Sequence, residues 1–465
     1  MSRELNLIKN TFVLAIGKFF PKFVGLITLP LITANLTKIE YGTYDLINTL
    51  VSLFLPVITL QLQAAAFRFL IEYRNNEEMK KSIISNILFF VIFVAFISVI
   101  ILFFAFNRLS NTTKFLVCFY FFVDILFLTL QQILRGLSLN KLYSTSAVIV
   151  SFINMILVVI TVSYFKFALN GVILSISLST AISIMIILFK TNVLNYLSLL
   201  SCSFELLKEM FAYSWPMIPN SLSNWVISLS DRLIITFVLG LEGTAIYSVA
   251  NKLPNLFTSL QGTFVLAWQE NASIASMDDD IAEYYGKMYD NVLCILFALI
   301  SGLIVTTPIT FKILIKGDYN KAIPQMPILY MGMFFSAIAS FIGGIYIANK
   351  KTKSIGITTT FAAILNLLID IALVKYIGLF AASLSTCVSY GILALYRIVN
   401  VKKFQDINYN VKKNIIIIIL LLFICLINFI NNNILNIFNV FFACITSLYL
   451  NKEIICFIKI KFLKK

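Results

Sequence analysis

The stretch Phe12-Val-Leu-Ala-Ile-Gly-Lys18-Phe-Phe-Pro21-Lys22-Phe-Val-Gly25-Leu-Ile-Thr-Leu-Pro-Leu-Ile-Thr-Ala34 has the length and apolar content of a membrane-crossing helix, yet it carries two lysines in its interior. A cation near the bilayer centre costs roughly 2.5 to 3.5 kcal/mol on insertion scales, and such groups face a bundle interior or a water-filled cavity. Lys18 and Lys22 stand four residues apart, so both ammonium groups leave one helix face, which Gly25 continues. The pattern predicts a first span that turns a cationic face away from lipid.

The rest of the chain is built the same way. Of 465 residues, 60% are hydrophobic and only 12% charged, with a mean hydropathy of +0.94, which excludes a soluble domain of ordinary composition. Apolar runs of spanning length occur at about 12–34, 43–66, 83–106, 114–134, 142–163, 170–189, 211–231, 245–268, 290–309, 327–348, 354–375, 378–396, 414–430 and 433–450. This predicts an all-α polytopic membrane protein of about 14 transmembrane helices.

Net charge is +15. The basic residues cluster in alternate loops, at Arg68, Arg74, Lys80 and Lys81, at Lys350, Lys351 and Lys353, and at Lys402, Lys403, Lys412 and Lys413. By the positive-inside rule both termini are cytoplasmic, and the charge reads as topogenic loops beside anionic lipid rather than as a nucleic-acid surface. The first apolar run is too long for a cleaved signal and contains lysines, so it is expected to remain as helix one. The seven cysteines are scattered without a CxxC pair, and histidine is absent. Neither a metal site nor a disulfide framework is expected, and no cofactor motif or ATP-binding loop is present.

The chain repeats itself. Tyr44-Asp-Leu-Ile-Asn48-Thr-Leu50 aligns without a gap on Tyr247-Ser-Val-Ala-Asn251-Lys-Leu253, and Leu36 falls on Leu239. Further along, the surroundings of Asn154 match those of Asn366, and Ser177-Leu-Ser-Thr180 recurs as Ser383-Leu-Ser-Thr386. Six spans separate equivalent positions, an even number, so the halves are parallel repeats: a six-helix lobe at 1–200, a second at 201–400, and two extra helices with a basic tail at 401–465. That arrangement predicts a central cavity between lobes that rock to open it to either side.

The duplication suggests a filter. Residues present in both halves are expected to serve the common fold, and unshared polar residues to serve function. Lys18 faces Ser221, Lys22 faces Trp225, Lys252 faces Thr49, Asp231 faces Thr28 and Arg232 faces Leu29 across the repeat. Lys18, Lys22, Lys252 and Arg232 are therefore the candidate anion-binding groups, with pairing of Arg232 to Asp231 and of Lys18 to Asp45 as the structural alternatives. Polar stripes at Asp45, Asn48 and Ser52, at Asn220 and Asn224, and at Asn251 and Asn255 are candidates for lining the cavity; for each Asn or Ser the alternative is a helix–helix hydrogen bond. The mid-span carboxylates Asp45, Asp124 and Asp370 are candidates for coupling to a proton or sodium ion. Trp268 reads as an aromatic anchor at the membrane interface.

The opening NTFVLAIGKFFPKFVGLITLPLITANLTKIEYGTYDLINTL, together with Ser214-Trp-Pro-Met-Ile-Pro-Asn-Ser-Leu-Ser-Asn-Trp225, Ser230-Asp-Arg-Leu-Ile-Ile and Gly243-Thr-Ala-Ile-Tyr-Ser-Val-Ala-Asn-Lys-Leu-Pro254, resembles the Wzx-type polysaccharide flippases of the multidrug/oligosaccharidyl-lipid/polysaccharide exporter superfamily. The resemblance covers residues 5–400. It implies export of an undecaprenyl-diphosphate-linked oligosaccharide across the bacterial cytoplasmic membrane for O-antigen or capsule assembly, beside membrane lipids and polysaccharide polymerase or assembly proteins. It also implies cations on helices one, two, seven and eight that hold the diphosphate; Lys18, Lys22, Arg232 and Lys252 match, whereas helix two offers only Arg68 at its end. The competing readings are a multidrug antiporter for organic cations, which a set of intramembrane lysines disfavours, and a glycan polymerase or ligase. The latter would need catalytic residues in a sizeable outer loop, while the longest here runs only from about 310 to 326.

Overall fold

The computed structural model describes residues 3–107, 109–275, 280–430 and 432–456, with the backbone alone described for residues 3–15, 220, 224, 227 and 352. Among these residues there are helices and no strand, in two compact units, Met1–Leu229 and Ser230–Lys465.

The first unit holds α1 (Arg3–Asn35), α2 (Lys38–Ile58), α3 (Leu62–Glu72), α4 (Glu77–Ala105), α5 (Asn111–Gly136), α6 (Asn140–Val158, ending in a π turn), α7 (Ala168–Lys190), α8 (Phe204–Ser214) and the start of α9 (Met217–Ala250). Polar caps fix where helices begin. Thr37 and Glu40 close a reciprocal capping box before α2, with the Thr37 amide donating to the Glu40 carboxylate at 2.8 Å and the Glu40 amide to Thr37 Oγ1 at 3.2 Å. Asn76 and Ser110 cap α4 and α5 through the amides of Met79 and Thr113. α5 lies at the middle of this unit, packed by α3, α4, α6 and α7, with Phe121 and Ile133 fully buried.

The second expected span, 43–66, is not one helix. Leu60 and Gln61 adopt left-handed backbone (φ 48° and 56°) just after Pro56, and this separates α2 from α3.

The second unit holds the rest of α9, then α10 (Lys252–Ala275), α11 (Ile281–Leu314), α12 (Gln325–Ala348), α13 (Thr352–Ile377), α14 (Leu379–Val401), α15 (Val411–Ile430) and α16 (Asn433–Leu450). α12 is its buried centre, packed by α10, α11, α13, α14 and α15. α9 is two helices folded back at Gly240, whose φ of 77° and ψ of −177° few residues other than glycine adopt. Thr236 and Thr244 share a hydroxyl hydrogen bond at 2.7 Å across the hairpin, and Tyr247 reaches Asp231 lower down.

Thirteen described segments are long and apolar enough to cross a membrane by length and composition, one of them, Ser228–Ala250, containing the fold-back at Gly240. The stretch expected as the remaining span is the end of α9 running into α10, where Lys252, Asn255, Gln261, Gln269, Glu270 and Asn271 lower the hydropathy. Its polarity, not its length, sets it apart. The boundary between compact units also falls inside α9 rather than near residue 200, because Trp225 packs its indole back on α2.

Trp268 is not an interfacial anchor. It is 3% exposed, donates its indole N–H to the Phe341 carbonyl at 2.8 Å and stacks on Phe341 at 4.2 Å, close against Gly344. A large ring with one donor fits a crossing of α10 and α12 where glycine leaves room.

Candidate functional site

In the first unit, α1 packs on α6 through one narrow side. A Cβ at Gly17 would stand 2.9 Å from Ser144, and Val24 and Thr28 continue this buried side. At 100° per residue Lys18, Lys22 and Gly25 point well away from it. Both lysines are exposed, and a Cβ at Gly25 would meet nothing within 4 Å. Two ammonium groups close enough to interact electrostatically thus share an open face with unfilled space beside it. Like charges held together by a helix suit a multivalent anion, whose binding relieves their repulsion.

The polar stripe of α2 is partly committed to structure. Asn48 accepts a hydrogen bond from Tyr120 at 2.9 Å; Ser52, still exposed, accepts one from the Trp225 indole at 3.1 Å. Trp225 is the repeat counterpart of Lys22 and Ser221, bonded to Gln61 at 2.7 Å, that of Lys18. Where the first half places cations, the second places groups that join helices of the first unit. Asn220 and Asn224 lie on α9 with side chains outside the described residues. Asp45 is buried on α2 and Asp124 half-buried on α5.

The second unit contains a cluster that chain spacing does not reveal. Asp231 of α9 is buried, and its Oδ2 accepts from the Tyr247 hydroxyl at 2.7 Å and from Thr386 Oγ1 of α14 at 3.2 Å. Asn366 of α13, with its amide turned to satisfy its neighbours, donates to Asp231 Oδ1 at 3.1 Å and accepts from the Thr386 amide at 3.1 Å. One helical turn further along α13 is Asp370, fully buried and close enough to Asp231 for the carboxylates to interact. Neither Asp370 oxygen accepts a hydrogen bond from the described residues. Ser383 donates to Gln325 and Ser385 to the Ala382 carbonyl nearby.

A buried carboxylate is costly without donors or an opposite charge. Two of them side by side, one held by the hydroxyls of Tyr247 and Thr386 and the amide N–H of Asn366, form a carboxylate pair suited to a proton or a hard cation.

Of the three carboxylates that the sequence offers for ion coupling, Asp370 belongs to this cluster, whereas Asp45 and Asp124 lie in the first unit. Asp231, Asn366 and Thr386 escape a reading of the sequence as functional residues, the first because adjacent Arg232 stands as a ready partner, the other two because both halves share them. The available signal is the Asn366-x-x-x-Asp370 spacing, which puts an amide and a carboxylate on one helix face. Arg232 is buried, and Asn251, between α9 and α10, donates back to the Tyr247 carbonyl at 3.1 Å, in the last turn of α9. Lys252 is half-buried and Asn255 exposed at the start of α10.

Comparison with known proteins agrees with this architecture. Residues 7–268 match the profile of the family described as polysaccharide biosynthesis protein. An uncharacterized membrane protein of Methanocaldococcus jannaschii is 23% identical over 434 residues, 84% of this chain and 82% of its own length. Among solved structures, the lipid II flippase MurJ in an inward closed conformation superposes with a TM-score of 0.69 at 17% identity, over 96% of this chain and 100% of that one. An inward-facing multidrug resistance MATE transporter of the MOP superfamily gives 0.64 at 15% identity, over 83% and 99%. The fold is therefore that of the MATE and MurJ transporters, and with more than half its length under the family profile the chain is a multi-pass membrane protein belonging to the polysaccharide biosynthesis protein family.

Proposed function

We propose that the protein carries an oligosaccharide linked through a diphosphate to undecaprenyl from the cytoplasmic to the outer leaflet by alternating access, without covalent chemistry. The observation that carries this reading is the open face of α1 with Lys18 and Lys22 one turn apart and Gly25 beside them. A diphosphate needs several cations in a low-dielectric surrounding, where their attraction offsets the loss of phosphate hydration. Lys252 of α10 and Arg232 of α9 are further candidate cations. Exposed Ser52 and Asn255 suit the sugars, with Asn48, Asn220, Asn224 and Asn251 as further lining.

The carboxylate cluster is the counter-ion site in this reading. Asp370 and Asp231 take up a proton or sodium ion whose gradient drives the return of the empty carrier. Asp370 is preferred over Asp45 and Asp124 because its buried oxygens accept no hydrogen bond from the described residues while Asn366 and Thr386 organise its neighbour. The distribution of basic loops favours cytoplasmic N- and C-termini. O-antigen or capsule repeat units, handed on to polymerase and assembly proteins, are the fitting cargo class. Cationic drugs would be repelled by the α1 face.

The test is transport of undecaprenyl-diphosphate-linked oligosaccharide in proteoliposomes, with sodium and proton gradients imposed separately. The wild type is expected to move substrate under one gradient and the Lys18→Ala/Lys22→Ala double variant to fail although correctly inserted. Full transport by the double variant would sink the anion-face reading.

A further inference from the structure

An apolar groove of about 630 Å³ lies between α10 and α11. Leu253, Leu256, Leu260 and Phe264 line it from α10, and Leu299 and Gly302 are among its lining residues on α11. The α10 lining from Leu253 to Phe264 covers roughly 17 Å of helix axis at 1.5 Å per residue, so the groove is long and runs along the helices. Its volume is of the size that encloses ligands rather than single solvent molecules. A Cβ at Gly302 would meet nothing within 4 Å, so the α11 wall is open there.

α10 has a second face of opposite character. At 100° per residue, Asn255, Thr258 and Gly262 project nearly opposite to the Leu253, Leu256, Leu260 and Phe264 stripe, and all three are exposed. Between the two faces on one side the helix packs on α12, through Trp268 and through Thr258 against Met333. On the other side, where the faces meet again, stands half-buried Lys252, next to Leu253 at the end of the groove. One helix thus arranges hydrocarbon, cation and hydrogen-bonding groups in the order in which a polyprenyl diphosphate sugar carries them.

We infer that the α10–α11 groove holds the polyprenyl tail of the substrate, with its diphosphate at Lys252 and its sugars on the Asn255–Thr258 side. This rests on the flippase reading proposed for the chain. It assigns α10 the task of parting tail from head group, which accounts for the polar residues along it.

Binding of undecaprenyl diphosphate and of geranyl diphosphate to the purified full-length protein, followed by native mass spectrometry, tests it. Gly302→Phe fills the groove, and since each buried methylene of a lipid chain contributes to affinity, undecaprenyl diphosphate is expected to bind about tenfold more weakly or worse, with a smaller loss for the shorter geranyl diphosphate. Lys252→Ala is expected to weaken both. Leu260→Trp, which narrows the groove from the other wall, repeats the measurement should Gly302→Phe not yield folded protein. Unchanged undecaprenyl diphosphate binding in the filled variants overturns the groove assignment and leaves the flippase reading standing. Displacement of undecaprenyl diphosphate by an equal amount of phosphatidylglycerol also overturns it, marking the groove as a place for bulk lipid. A wild type that binds neither diphosphate overturns the flippase reading itself.

Discussion

The sequence Ser-Leu-Ser-Thr occurs twice, and its two copies do different things. In α7, Ser177 and Thr180 donate to the carbonyls of Ile173 and Ile176, bonds confined to their own helix. In α14, Ser383 reaches Gln325 and Thr386 reaches the buried carboxylate of Asp231. What differs is the partner supplied by neighbouring helices. Asp231 stands where the first half has Thr28, which donates to the Gly25 carbonyl, and at the Asn154/Asn366 offset Asp370 stands where it has buried Val158. The hydroxyl and amide scaffold is therefore common property, and only the second half sets two carboxylates in it. Sorting residues by whether both halves share them overlooks Asn366 and Thr386, the shared groups that hold Asp231.

The largest effect is expected where the two halves differ most. Asp370→Asn keeps the volume and removes the charge, so gradient-driven transport in proteoliposomes should fall at least about tenfold while the protein remains folded, since coupling needs a group that binds the ion in one state and releases it in another. Ion-driven transport at the wild-type rate would dismiss the cluster as the coupling site. The reverse substitution, Val158→Asp, would put a carboxylate in the first half and is expected to destabilise that unit, read as a lower unfolding temperature, because it buries a charge in an apolar position.

A finer test compares the copies directly. Thr386→Ala deletes a hydrogen bond to a buried carboxylate, an interaction of about 1.5 to 3 kcal/mol, and should weaken sodium or proton dependence several-fold. Thr180→Ala deletes only a bond to the preceding turn and should leave transport unchanged. Equal effects at both positions would mean that the motif is packing in both halves.

How much of this was legible depends on the range of the interaction. The spans were readable because an apolar run of spanning length is a local property, and α1 was readable because two lysines within it are anomalous wherever they point. The Asp231–Thr386 contact joins residues 155 positions apart on two helices, and no periodicity along the chain encodes it. Trp268 misled for a related reason. A tryptophan near a span end has the composition of an interfacial anchor, and only the neighbouring Gly344, which admits its ring, makes it a packing residue.

The smallest expected effects come from the corners at which each half first reverses. Thr37 and Gly240 occupy equivalent positions at the repeat offset that aligns Leu36 with Leu239, yet they reverse the chain by different means. The first half begins α2 with a Thr37–Glu40 capping box, and the second turns on a positive-φ glycine. Gly240→Ala forces a side chain into backbone that disfavours it, a strain of about 1 to 3 kcal/mol. Thr37→Ala loses one cap, about 1 kcal/mol. Thermal unfolding in detergent should therefore rank Gly240→Ala below Thr37→Ala, with both inserted and folded. The order matters because a Cβ at Gly240 meets no atom within 4 Å, so crowding cannot explain a loss there. If Gly240→Ala unfolds no earlier than the wild type, the left-handed corner is not what fixes the α9 hairpin, and the Thr236–Thr244 and Asp231–Tyr247 hydrogen bonds must hold it closed by themselves.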